Sequence, residues 1–143
     1  MWQRIQTLYL AVSTVLLFIL FFSDAYTVTA PEGMQYVTYL QLQKPYFGIL
    51  LGILAGLVLL ALVTFKSLIL QMRLSCLGGI VALGMQAWLA WMYFTFEGPV
   101  FSLTAILPLG ICVFNFLAAR GCFQDQLMVE SAMRIRERRK RNK

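Results

Sequence analysis

The most reactive side chains in this sequence are the thiols of Cys76, Cys112 and Cys122. Three cysteines with no C-x-x-C spacing indicate neither a disulfide framework nor a dithiol redox centre. Histidine is absent altogether, which removes histidine-ligated haem and zinc sites and histidine general bases. Polar residues well inside the apolar stretches include Ser13, Thr14, Gln86, Thr104 and Asn115, and none of these ionises. Proton-coupled transport relies on a buried carboxylate or similar relay, so an exporter built around a membrane-embedded acid is disfavoured. No nucleophile and base pair and no metal-ligand set emerges. The expectation is a non-enzymatic protein with no catalytic, cofactor-binding or metal-binding residue.

The elements that hold these residues are apolar. Hydrophobic residues make up 60% of the 143 and charged residues 13%, against about 25% charged in an ordinary soluble domain. A bilayer core of about 30 Å needs about 20 apolar residues in a helix rising about 1.5 Å per residue. Four segments meet that requirement without Asp, Glu, Lys or Arg: 5–22, 45–65, 74–96 and 99–119. The expected fold is an all-α membrane protein, an antiparallel four-helix transmembrane bundle over residues 1–119 followed by a basic tail over 120–143. A separate soluble domain does not fit in the remainder.

Charge orients the bundle. Arg4 precedes the first span, Lys66 and Arg73 separate the second and third, and Arg120 follows the fourth. The other side holds Asp24, Glu32 and Glu97 with one cation, Lys44. By the positive-inside rule both termini of this multi-pass protein are expected in the cytoplasm. Trp88, Trp91 and Tyr93 at one interface, with Trp2 and Tyr9 at the other, suit the two aromatic belts. The first span also reads as a cleaved signal peptide, with Ser23-Asp24-Ala25 as cleavage site. Its apolar run is long for that role, since signal h-regions span about 7 to 15 residues.

Between the first two spans, Tyr26-Thr27-Val28-Thr29 and Tyr36-Val37-Thr38-Tyr39 flank Ala30-Pro31-Glu32-Gly33. β-branched and aromatic runs around a turn with proline second and glycine fourth predict a small extracytoplasmic β-hairpin. An isolated hairpin is marginal in water, so it needs support from the helix ends or from a partner protein. In the second span Gly48, Gly52 and Gly56 recur every four residues and leave one helix face open to close approach. Packing inside the bundle is the first reading, with Gly78 and Ala82 of the third span as the matching surface; a homo-oligomer interface is the second. Gln86 is the candidate for an interhelical hydrogen bond, and a ligand site there is the sharper alternative. Pro108 is expected to kink the fourth span at its middle and to free a carbonyl near Thr104.

From Arg120 onward there are eight basic and three acidic residues. Glu130 with Arg134 and Glu137 with Arg141 have i,i+4 spacing, so the first part of the tail is predicted helical and its last run mobile. Attraction to anionic lipid headgroups is the first reading of this charge. Contact with nucleic acid is disfavoured, because no aromatic residue interleaves the arginines.

With these features placed, the chain resembles a family of small bacterial four-span membrane proteins known as domain of unknown function 4293. The resemblance rests on residues 1–9, on Leu70-Gln71-Met72-Arg73-Leu74, on Leu117-Ala118-Ala119-Arg120, on Asp125 and on residues 131–136. The sequence departs from the family pattern at Glu130, where a basic residue is preferred, and at Met133, where an acidic one is. The resemblance implies a membrane protein with cytoplasmic termini and implies no activity. Gln3, Arg4, Gln6, Gln71, Arg73 and Arg120 all fall near the cytoplasmic ends of the spans. They read either as separate helix anchors or as one polar docking cluster, of which Arg4, Gln71, Arg73 and Arg120 are the core. The resulting expectation is an accessory or scaffold subunit with a membrane-protein partner or a second copy of itself. A small-molecule, lipid or quinone carrier or channel opening near Gln86 and Pro108 is the alternative.

Overall fold

The structure is a computed structural model that describes residues 3–31, 33–38, 46–64, 66–95 and 100–141, with the side chains of residues 3, 4, 29 and 30 left aside. It is mostly helical: α1 (Gln3–Phe22), α2 (Tyr46–Val63), α3 (Leu68–Thr95) and α4 (Leu107–Arg141), with strands β1 (Asp24–Ala30), β2 (Gly33–Thr38) and β3 (Val100–Phe101). All four helices are long and apolar enough to cross a membrane. Only 28 to 33% of each helix's most apolar window is buried inside the protein. Apolar side chains therefore cover the outside of the bundle as well, among them Phe18, Phe22, Phe94 and Leu103. A helix that is apolar all round belongs in a large core or in lipid.

The helices form a ring in which α1 packs on α2 and α4, and α3 packs on α2 and α4. Phe47 of α2 meets Trp88 of α3 edge to face at 6.3 Å, so the start of one lies beside the end of the other. On α3 the buried positions are Gln71, Ser75, Gly78, Gly79, Ala82, Met85, Leu89 and Met92. Their spacing of three and four residues is the seam of a helix that faces its neighbours along its whole length. Leu17, Leu20, Leu51, Leu54, Met85 and Ile111 fill the centre.

Two expected boundaries move. The α2–α3 connection is confined to residues 64–67, and α3 starts at Leu68 rather than near Leu74, so Gln71 and Arg73 are helical. The fourth span does not begin as a helix near Pro99. Val100–Phe101 is a strand, Leu103–Ile106 is one 3₁₀ turn, and α4 starts at Leu107. Pro108 therefore stands in the first turn of α4 instead of kinking its middle. The physical reason is that first-turn N–H groups have no helical acceptor, so proline loses nothing there and its fixed φ favours the start. At the other end α4 continues as helix to Arg141, where the sequence suggested a mobile run. The Glu130–Arg134 pair forms, with N···O 2.7 Å.

The predicted hairpin is present, with Ala30 paired to Gly33 across the turn and Asp24 to Thr38 at its base. Gly33 has φ +126°, a conformation that side-chain-bearing residues rarely adopt. Tyr39 of the expected second strand and the glutamate of the turn lie outside the described residues. The support the hairpin needs comes from β3, which makes a three-stranded antiparallel sheet in the order β2-β1-β3. Tyr26 pairs with Phe101, the Ser102 N–H donates to the Ala25 carbonyl at 3.0 Å, and the Thr104 hydroxyl donates to the Asp24 carbonyl at 2.7 Å. Phe101 also lies edge-on to Tyr93 of α3 at 5.6 Å. One end of the bundle thus carries a sheet, and the opposite end carries the start of α1 and the extension of α4; these are called the sheet end and the tail end.

Candidate functional site at the tail end

Polar side chains gather where α1, α3 and α4 meet. Gln6 of α1 is 2% exposed. Its amide Nε2 donates to Asp125 Oδ2 at 2.5 Å, and its Oε1 accepts the Cys122 thiol at 3.2 Å. Gly121 makes this geometry possible: a Cβ at that position would lie 2.9 Å from Gln6 Cγ. Two turns further into the bundle, Asn115 Nδ2 donates to Ser13 Oγ at 3.0 Å and to the Ile111 carbonyl at 2.9 Å. Gln6 with Cys122 and Ser13 with Asn115 define one antiparallel register between α1 and α4.

Helix α3 closes the seam from the other side. A Cβ on Gly78 would sit 3.5 Å from Asn115 Oδ1, and one on Gly79 would sit 3.1 Å from the Phe116 ring. Gly79 is the tighter of the two, since its Cβ would crowd the Phe116 ring, whereas Gly78 leaves room for ordinary contact only. The same register carries Ser75 and then Gln71 toward the tail end, opposite the part of α4 that holds Cys122. Ser75 is fully buried and Gln71 is 2% exposed. Among the described residues, Gln71 Nε2, Ser75 Oγ and Asn115 Oδ1 have no hydrogen-bond partner. Each unpaired buried polar atom costs about 1 to 3 kcal/mol, so this seam is a costly place to leave polar groups.

The expected cytoplasmic cluster is therefore divided. Gln6 and Gln71 go inside, while Arg73 and Arg120 stay exposed. Arg4 has its side chain outside those described, as has Gln3. Cys122, Asp125, Gly121 and Ser75 join the seam without having been singled out for it. The available signal was the buried row of α4, Pro108, Ile111, Cys112, Asn115, Ala118, Ala119 and Cys122, whose period continues past Arg120 to Asp125. The arginine suggested a membrane boundary and hid the continuity of the face.

The glycine row of α2 behaves differently. Gly52 is exposed and Gly48 and Gly56 are half-buried. A Cβ on Gly52 or Gly56 would meet nothing within 4 Å among the described residues. The buried side of α2 is made by Phe47, Leu51, Leu54, Val58 and Ala61. Gln86 is half-buried on α3 and its Oε1 has no hydrogen-bond partner among the described residues.

Two grooves accompany these features. One, of about 200 Å³, runs along the α1–α4 seam at the tail end and is bordered by Gln6, Tyr9, Leu117, Arg120, Gln124 and Asp125. The other, of about 260 Å³, is apolar and lies between α1 and α2, bordered by Leu17, Phe18, Phe21, Phe22, Val58 and Leu59. Neither touches Gln86 or Pro108. The first offers a cation, a carboxylate and an amide on an apolar slope; the second offers only van der Waals contact.

A family model described as Domain of unknown function (DUF4293) matches residues 2–135. The chain belongs to the DUF4293 family. The match includes Gln6, Ser13, Gln71, Ser75, Asn115, Cys122 and Asp125, so the whole polar seam lies within the family region. No curated protein and no solved structure matches the chain.

Proposed function

We propose that this DUF4293 protein is a non-enzymatic, multi-pass protein of a bacterial inner membrane that serves as an accessory or scaffold subunit. Its four apolar helices would span the bilayer, with the sheet end outside and both termini in the cytoplasm. The reading is carried by α4. That helix leaves the bundle after Asp125 and continues to Arg141, roughly 24 Å further at about 1.5 Å per residue. Along this extension Leu127, Met128, Val129, Met133 and Ile135 are exposed among the basic residues. A rigid, partly apolar, positively charged helix that rises from a membrane bundle suits a protein partner, and its arginines also suit anionic headgroups at the membrane surface.

The test is affinity purification in mild detergent with mass spectrometry, comparing the full chain with one ending at Asp125. A stoichiometric protein partner recovered with the full chain and lost from the shortened one is expected. An identical set of proteins from both would overturn the docking role of the extension. A second reading, a carrier of an apolar small molecule, is favoured by the groove between α1 and α2; recovery of a specific quinone or lipid-like compound in place of a protein partner would support it.

A further inference from the structure

We propose that the α1–α4 groove at the tail end binds the headgroup of an aminophospholipid, with Arg120 taking the phosphate and Asp125 the primary ammonium. The proposal rests on the membrane reading above. Three observations converge on it. First, both charges are available. Arg120 is exposed and makes no ion pair among the described residues. Asp125 gives Oδ2 to Gln6 and has Oδ1 free among the described residues. The two lie five positions apart on one helix, about 7.5 Å along its axis, beyond the i,i+3 and i,i+4 spacings at which helical side chains meet. They therefore do not neutralise each other, and a zwitterion laid along the groove meets both.

Second, the groove changes polarity along its length. Arg120, Gln124 and Asp125 border its tail-end part, with Ile5 the one apolar side chain among them, and Tyr9 and Leu117 border its bundle-end part. Tyr9 continues into the Phe114 ring at 6.3 Å, which extends the apolar wall between α1 and α4. A soluble phospho-amine would use only the polar part. An amphiphile uses both, with its chains along the apolar wall. Third, the acceptor is held in place: the buried Gln6 amide, itself bonded by the Cys122 thiol, donates to Asp125 Oδ2 and restrains the carboxylate before any ligand arrives. Preorganisation of this kind lowers the cost of binding.

The same geometry sets specificity. A primary ammonium donates charge-assisted hydrogen bonds to a carboxylate, whereas a quaternary choline has no N–H to give. An anionic glycerol headgroup would satisfy Arg120 and be repelled by Asp125.

The experiment uses the full chain in detergent, incubated with phosphatidylethanolamine, phosphatidylcholine or phosphatidylglycerol of equal chain length, with bound lipid counted by native mass spectrometry. The expected result is one phosphatidylethanolamine per chain, preferred about tenfold over phosphatidylcholine, the discrimination given by one charge-assisted hydrogen bond. Asp125→Asn can still accept the Gln6 hydrogen bond, so the fold is kept while the preference falls to about one. Arg120→Gln should lose bound lipid of every kind. Glu130→Gln, an acid on the exposed extension, should keep the full preference. Equal retention of the three lipids by the wild-type chain, or an unchanged preference in Asp125→Asn, overturns the proposal. Carbonate extraction of cell membranes separates this failure from failure of the membrane reading: a chain that stays in the membrane but shows no preference sinks the site alone, whereas a released chain sinks both.

Discussion

Helices α2 and α3 carry the same sequence signal and use it in opposite ways. Gly48, Gly52 and Gly56 on α2 and Gly78 with Ala82 on α3 both present small residues four apart. On α3 the glycines meet Asn115 and Phe116 of α4. On α2 a Cβ on Gly52 or Gly56 would meet no neighbour within 4 Å among the described residues, and Phe47, Leu51, Leu54 and Val58 are buried instead. The spacing shows that small residues share a face, but not which way that face turns. Bulky partners decide that. Asn115 and Phe116 lie against Gly78 and Gly79 of α3, where a small residue leaves them room.

The largest expected effect tests this contrast directly. Gly79→Leu would drive a side chain into the Phe116 ring, and overpacking of this kind costs about 1 to 3 kcal/mol; thermal unfolding in detergent should show a clear loss of stability. An unchanged midpoint would mean that α3 and α4 do not approach as closely as described. A smaller effect is expected at the polar contact beside it. A double-mutant cycle on Ser13→Ala and Asn115→Ala should return a coupling of about 0.6 to 1.7 kcal/mol, the range of interhelical hydrogen bonds in lipid. Zero coupling would mean that the Asn115–Ser13 bond contributes nothing to the α1–α4 contact. The smallest effect belongs to Gly52→Leu, which should change the stability of the isolated chain by no more than about 0.5 kcal/mol. The same variant examined by crosslinking sharpens the comparison further. Loss of a crosslinked dimer would show that the open glycine face packs on a second copy, and unchanged dimer would exclude that use of it.

Much of the architecture was legible in one dimension. The four apolar segments became four helices because each is long enough and free of charge, and a helix pairs its own backbone groups. The hairpin was legible because Pro31 and Gly33 flank the turn between two β-branched runs. Strand β3 was not, because Val100 and Phe101 continue an apolar run that reads equally well as helix; only the free edge of β1 beside them makes them a strand. Pro108 was misread for the same reason, since a proline marks a kink or a start according to where the helix begins. Within the seam, Gln6 and Gln71 looked like interfacial anchors, and hydropathy alone would place them there. Their burial goes with the close approach allowed by Gly121 and Gly79, which is a property of helix pairs.

By itself the sequence determined the number of helices, their apolar character, the excess of positive charge toward one end and the presence of a turn between two strands. These follow from local composition and from spacing along a single segment. Tertiary structure decided which face of each helix is covered, where α4 starts, what supports the hairpin, and that Gln6, Cys122 and Asp125 come together. Those outcomes depend on the rotation of each helix about its own axis. That rotation is set by the fit of large residues on one helix into gaps left by small residues on another, far away in the chain.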